Sequence, residues 1–201
     1  MKKLIALVAR HGETVYNETE IIRSWNDPPL NQDGLKQAKQ ARDFLKKYKF
    51  SRILCSPLLR AFVTADIIAD GRMVWQHRGL FPWNLGVFGG LPKGTTAHAV
   101  DLFVKGKQVQ VPNGESLNAF EERIFAFFNA ALADAQKCGL TLFVCHNSVI
   151  TALSHLMTGE EADRLKDTVK PGGVAEIIFD GKHHSLVPVF GKPEVSTFGP
   201  S

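Results

Sequence analysis

The sequence predicts an α/β protein, a three-layer αβα sandwich built on a mostly parallel central sheet. Three observations predict it. Leu4 to Ala9 is an unbroken apolar run, the pattern of a strand buried on both faces. Strand-like and helix-like stretches alternate down the chain. The 201 residues, 44% hydrophobic and 22% charged, can fill one sizeable core but are few for two.

The elements follow in order. After the first strand, Leu35, Ala38, Ala41, Leu45 and Tyr48 recur at helical spacing behind Asp33-Gly34. Arg52 to Cys55 reads as a second strand. Ser56-Pro57 then looks like a helix start, with Ser as the cap and Pro in the first helical position, running to about Ala69. Met73 to Gln76 is a candidate short strand. Residues 77–113 are rich in Gly, Pro and aromatics and predict loops with one helix near Ala97 to Val104. Phe120, Ile124, Phe127, Phe128, Ala131 and Leu132 give the apolar face of a helix over about Leu117 to Gln136. Thr141 to Cys145 is the next strand and Ser148 to Met157 the next helix. Val174 to Phe179 and Ser185 to Phe190 predict a hairpin around Asp180-Gly181. The expected organisation is a single domain over 1–201, with a substrate-entrance segment at about 71–113 and a weakly ordered tail at about 191–201.

Bulk chemistry narrows the function. Lys and Arg number 24 against 20 Asp and Glu, a formal charge of +4. No dense basic block is present, so nucleic acid is not an expected partner, while a mild positive field suits a small anionic substrate. Three scattered cysteines give no disulfide framework and fit a reducing compartment. The six-residue apolar run after Met1-Lys2-Lys3 is too short for a signal peptide, and no stretch has the length of a membrane span. A soluble, cytoplasmic protein with no membrane partner is the expectation; oligomeric state is left open.

In sheets of this kind, ligands bind beyond the carboxyl ends of the strands. Three such ends carry unusual residues: Arg10-His11, Ser56 to Arg60, and His146-Asn147-Ser148. Arg60 sits in the first turn of its helix, where the macrodipole disfavours a cation, so a bound anion would explain it. The alternative is an exposed arginine reaching water. His11 lies among cations that favour neutral imidazole, and a neutral nitrogen can attack phosphorus. His146 opens a helix and could stabilise charge on a transferring group, or simply cap a strand end.

Arg10-His11-Gly12-Glu13-Thr14 with Asn17 resembles the signature of the histidine phosphatase superfamily, which includes the cofactor-dependent phosphoglycerate mutases. Asp27-Pro28-Pro29-Leu30 with Gly34 and Gln37-Ala38 is similar to the family's next block. Ser56-Pro57-Leu58-Leu59-Arg60-Ala61 with Thr64-Ala65, Pro112-Asn113-Gly114-Glu115-Ser116, and the strand into His146 continue the order to about Phe179. The resemblance implies a phosphoglycerate mutase-like fold and a phosphomonoester phosphatase in which His11 becomes phosphorylated and water releases the phosphate. It implies that Arg10, Arg60 and His146 hold the phosphoryl oxygens, with Asn17 a further contact, and that no metal or cofactor is needed. Glu13, Thr14, Glu115 and Asn147 are further site candidates. Glu115 either orients the pocket or favours its helix N-terminus, and Asn147 replaces a glycine common in the family.

The pattern departs from the family in one place. Many members carry a glutamate that protonates the leaving alcohol, in a block matching Leu80 to Gly86. Here Pro82 and Asn84 stand at the acidic positions, and neither can donate that proton. Asp101, Glu13 or His77 could supply it, the substrate could have a good leaving group such as phosphohistidine or an acyl phosphate, or the activity could be weak. Phosphoglycerate mutase-like phosphoryl transfer and a catalytically weakened phospholigand-binding protein are the alternatives to hydrolysis; the family's mutases have an extra middle segment that this chain lacks. Trp75, Phe81, Trp83 and Phe88 are candidate pocket walls, and Lys93, Lys105 and Lys107 candidate anion attractants, or else ordinary core and surface. A Cys145–His146 catalytic pair and a zinc site at His183 and His184 are disfavoured by strand geometry and ligand spacing.

Overall fold

The computed structural model describes residues 2–159 and 169–191. Among these, six strands form one mixed sheet: β1 (Lys3–Arg10), β2 (Arg52–Cys55), β3 (Trp75–Gln76), β4 (Thr141–Cys145), β5 (Val174–Phe179) and β6 (His184–Phe190). Their order is β3-β2-β4-β1-β5-β6. The first four are mutually parallel, while β5 and β6 pair antiparallel as the hairpin expected at the end of the chain. Asp180 closes its turn, with Oδ1 accepting from the amides of Lys182 and His183. The proposed strand at Met73 shortens to the two residues Trp75–Gln76 at the sheet edge.

Strand alternation divides the core. Leu7, Ala9, Leu142 and Val144 face one side and pack against Ala41 and Leu45 of α2 (Gln32–Leu45) and Ala65, Ile68 and Ala69 of α3 (Leu59–Ala69). Val8, Phe143, Ala175 and Ile177 face the other side. There they meet Phe120, Ile124 and Phe128 of α5 (Leu117–Cys138) and Val149 and Ile150 of α6 (Asn147–Thr158). Two helical layers thus sandwich the sheet, as the apolar runs require.

Three boundaries differ from expectation, the first two for a capping reason. Helix α2 starts at Gln32 because the side chain of Asn31 accepts from Gly34 N at 2.7 Å, which puts Asp33-Gly34 inside the helix. Helix α3 starts at Leu59, not at Ser56-Pro57, because its first amides are capped from another loop: the carboxylate of Asp27 accepts from Leu59 N and Arg60 N. Helix α4 covers Lys93–Lys105, four residues earlier than Ala97. A short helix, α1 (Val15–Glu18), and 3-10 turns at Arg78–Leu80 and Gly86–Phe88 lie in stretches that lack periodicity. Of the tail expected at 191–201, all but Gly191 falls outside the described residues. Among the described residues no helix is long and apolar enough to cross a membrane.

Candidate active site

Sheet register assembles the site. Arg10 of β1 lies opposite Cys145 of β4, so the next residues, His11 and His146, leave adjacent strands side by side. Their rings meet edge to face with centroids 5.1 Å apart. The His11 amide donates to Cys145 O at 3.0 Å, and the Ser56 amide to Val144 O at 2.9 Å, so β2 delivers Ser56 to the same rim. The loop after His11 needs its glycine, because a Cβ on Gly12 would collide with the backbone of Gly34.

His11 is buried, and its Nδ1 lies 2.6 Å from Gly12 O. A carbonyl only accepts, so the proton sits on Nδ1 and Nε2 keeps its lone pair. Burial lowers the His11 pKa well below the ordinary 6.5, with Arg60, Arg23 and Arg10 acting in the same direction. Burial and the same three charges, with that of His11, do likewise to His146. His146 Nε2 lies 2.8 Å from Ser56 Oγ, while its Nδ1 is buried without a hydrogen-bond partner.

Arg60 is buried and holds the 24–27 loop, with Nη2 donating to Ser24 O at 2.9 Å and Nη1 donating to Asn26 O at 2.8 Å. Nη1 also meets Asp27 Oδ1 at 3.2 Å, and Nε is buried without a partner. Burial pulls the guanidinium down to about 10, which still leaves it charged at neutral pH. The alternative of an exposed Arg60 is therefore excluded.

His11, Arg60, His146 and Asn147 line a cavity of about 360 Å³, together with Arg23, Ser24, Pro82, Trp83 and Ser148. Arg10 does not line it; it packs behind, with Nη1 donating to Val169 O at 2.8 Å. Asn17 and Thr14 are likewise off the lining, since Asn17 Oδ1 accepts from Thr14 N and Oγ1 at 3.0 and 2.9 Å. Glu13 accepts from Asn31 Nδ2 at 3.0 Å, away from the cavity. Glu115 pairs with Arg123 at 2.7 Å and accepts from Asn84 N at 2.9 Å, so it braces the wall rather than facing the cavity.

The proposed proton donors are engaged elsewhere. Asp101 pairs with Lys105 at 2.6 Å, and His77 Nδ1 accepts from Gly79 N at 3.0 Å with its ring on Phe127. Of the four aromatics and three lysines singled out, Trp83 and Lys93 line the cavity. Phe81 packs at a tilt on Trp25, Phe88 packs on Phe103, and Trp75 is exposed on the edge strand. Cys145 is buried in the core, where desolvation raises its thiol pKa, so it presents no nucleophile beside His146. Arg23 and Ser24 are not legible as site residues, and Ser56, although at a strand end facing the crevice, has no site role legible in the sequence. Arg23-Ser24 has no periodic or motif signal, and Ser56 mimics a helix cap.

A family model described as histidine phosphatase superfamily (branch 1) matches residues 6–190. Over 197 residues the chain is 27% identical to a phosphoglycerate mutase of Schizosaccharomyces pombe, covering 90% of this chain and 93% of the relative. Over 158 residues it is 32% identical to the adenosylcobalamin/alpha-ribazole phosphatase of Salmonella typhimurium, covering 73% and 75%. The crystal structure of phosphoglycerate mutase from Bacillus anthracis superposes with a TM-score of 0.79 at 22% identity, covering 92% of this chain and 91% of that one, a likeness of fold.

Proposed function

We propose that this chain, which belongs to the histidine phosphatase superfamily, is a metal-independent phosphomonoester hydrolase in which His11 carries the phosphoryl group. What carries the proposal is a single arrangement. His11 turns an unprotonated Nε2 toward chemistry, while Arg60 Nε and His146 Nδ1 stay buried with no partner. Buried polar atoms left unpaired call for a ligand, and two donors beside a nucleophile suit phosphoryl oxygens.

The roles follow from that geometry. His11 Nε2 attacks phosphorus, and the alcohol departs. Ser56 Oγ accepts from Leu58 N at 3.4 Å and is free to donate its own proton to His146 Nε2. That keeps the His146 proton on Nδ1, as a donor to the equatorial oxygens. Arg60 and Arg23 supply charge at the cavity, and Arg10 supplies it from behind His11. Asn17 acts by shaping the loop in this reading, and Asn147 by its place on the lining. Water then attacks the phosphohistidine and returns His11 to its starting state. Free, buried Cys55 and Cys145 fit a reducing compartment, which supports assignment to the cytoplasm.

The test is phosphate release from an aryl phosphate and from alkyl phosphomonoesters by the full chain and by His11→Ala. His11→Ala should lose roughly 10³-fold or more. The native protein should yield an acid-labile, base-stable phosphoenzyme after rapid quenching. Equal release by the variant would remove His11 as nucleophile. Net transfer between hydroxyls of a phosphoglycerate, in place of release to water, would replace hydrolase by mutase.

A further inference from the structure

The cavity lining combines two kinds of surface. His11, Arg23, Arg60 and His146 supply its charged part, and Ile21, Ile22, Trp83, Leu85, Val100 and Val104 make most of the rest apolar, with Lys93 and a few polar side chains among them. An apolar cavity of about 150 Å³ accommodates benzene, so about 360 Å³ accommodates a phosphoryl group together with an aromatic ring. Against a lining that is largely apolar, a ring gains more from burial than a body rich in hydroxyls.

Among the described residues, the same lining offers no buried carboxylic acid as a proton donor. Pro82 lies on the lining, and the Asn84 side chain is turned to Gly86 N at 3.0 Å. Among the described lining residues the one carboxylate is Glu20, which is exposed, with its backbone carbonyl accepting from Lys93 N at 2.8 Å. Asp101 and Glu115 are held by Lys105 and Arg123.

Resting on the hydrolase reading, we infer that the substrates of this site are aryl phosphomonoesters, whose ring occupies the Trp83–Val104 wall and whose oxygen leaves without a proton from the protein. The Nε2–P bond forms as the P–O(aryl) bond breaks, and the aryloxide departs with the electron pair. In the second step water gives its hydroxyl to phosphorus and its proton, in effect, to the aryloxide. The P–N bond breaks, and the products are a phenol and inorganic phosphate.

The experiment compares four probes on the full chain: a substituted phenyl phosphate series, phenethyl phosphate, 3-phosphoglycerate and phosphoserine. Phenethyl phosphate carries the ring but an alkyl leaving group. The phenyl esters should exceed it in kcat by about 100-fold or more, rising as the phenol becomes more acidic. Phenethyl phosphate should nevertheless compete for the site at lower concentrations than 3-phosphoglycerate. Val104→Gln, and the milder Val104→Thr as a control for folding, should narrow the preference for aryl over glycerate esters. Equal turnover of 3-phosphoglycerate or phosphoserine, or an unchanged preference in folded Val104→Gln, overturns the inference while His11-dependent release leaves the hydrolase intact. A loss of phenethyl phosphate turnover in Glu20→Gln also overturns it, since Glu20 would then be the donor. No His11-dependent release from any ester removes both.

Discussion

Asp27 and Arg60 are joined twice. One carboxylate caps α3 at the Leu59 and Arg60 amides and also meets the guanidinium, with Oδ1 3.2 Å from Nη1. The acid therefore offsets the positive helix end and the buried cation that the helix carries. Asp27→Ala should cost about 1 kcal/mol from the cap alone. It should also loosen Arg60, raising KM for phosphomonoesters. Asp27→Asn keeps an acceptor for the cap but not the charge, so it should retain more stability than activity. Thermal melts with steady-state kinetics on both variants check this, and equal losses of stability and activity in Asp27→Asn would show that the cap and the charge do not act separately.

The two histidines fix the direction of the pH response. Both have pKa values below the ordinary 6.5, from burial first and the arginine charges next. The acid limb of kcat/KM, which reports the free enzyme, should therefore have its midpoint below 6.5. Arg23→Gln should move it upward. Stability has the matching sign: below 6.5 the unfolded chain binds protons that the folded histidines resist, so stability falls with pH in that window and not above it. Melting temperatures between about pH 8 and pH 5 should drop less steeply in His146→Gln than in the native chain. A parallel drop would assign the loss to other groups.

The fold was legible where burial dictates pattern. Continuous apolar runs marked β1 and β4, and 3.6-residue spacing marked α2 and α5. The positions of His11, Arg60 and His146 at one rim followed from strand ends alone. The capping of α3 was not legible, because its acceptor, Asp27, is contributed by a loop more than thirty residues earlier, and local rules assign Ser56 instead. Glu13, His77 and Asp101 are the sequence's candidates for the general acid, yet each has a partner that only the folded chain reveals. Arg23 was invisible for the opposite reason: a lone arginine in an aperiodic loop carries no signal until the loop is closed by Arg60.

Ser56 has moved from helix cap to partner of His146. With Ser56→Ala, both ring nitrogens of His146 lack a hydrogen bond, and the proton is free to sit on either. Activity should fall by about 10-fold or more, the worth of one buried hydrogen bond of roughly 1–2 kcal/mol. The loss should lie in kcat rather than KM if His146 acts on the transferring group. A fall confined to KM would reassign His146 to ground-state binding.

Arg123 should be the residue on which the apolar wall depends. The wall segment from Gly79 to Leu85 is largely irregular, yet it carries Pro82, Trp83 and Leu85 to the cavity. Arg123 holds it by donating to Gly79 O, Phe81 O and Pro82 O at 3.4, 3.2 and 3.3 Å, and it pairs with Glu115. Glu115 in turn accepts from Asn84 N, and the Trp83 indole donates to Glu115 O at 3.0 Å. Removing the guanidinium leaves several carbonyls and a carboxylate without their donor, so Arg123→Met should cost about 1–3 kcal/mol. Glu115→Gln keeps the acceptor for Asn84 and should cost less. Because the two groups share one network, the double variant should cost less than the sum of the singles. The catalytic consequence should be selective: KM for esters with a large apolar body rises, while that for small phosphate esters changes little. Additive stability losses, or equal KM changes for both ester classes, would show that Arg123 stabilises the fold without shaping the wall.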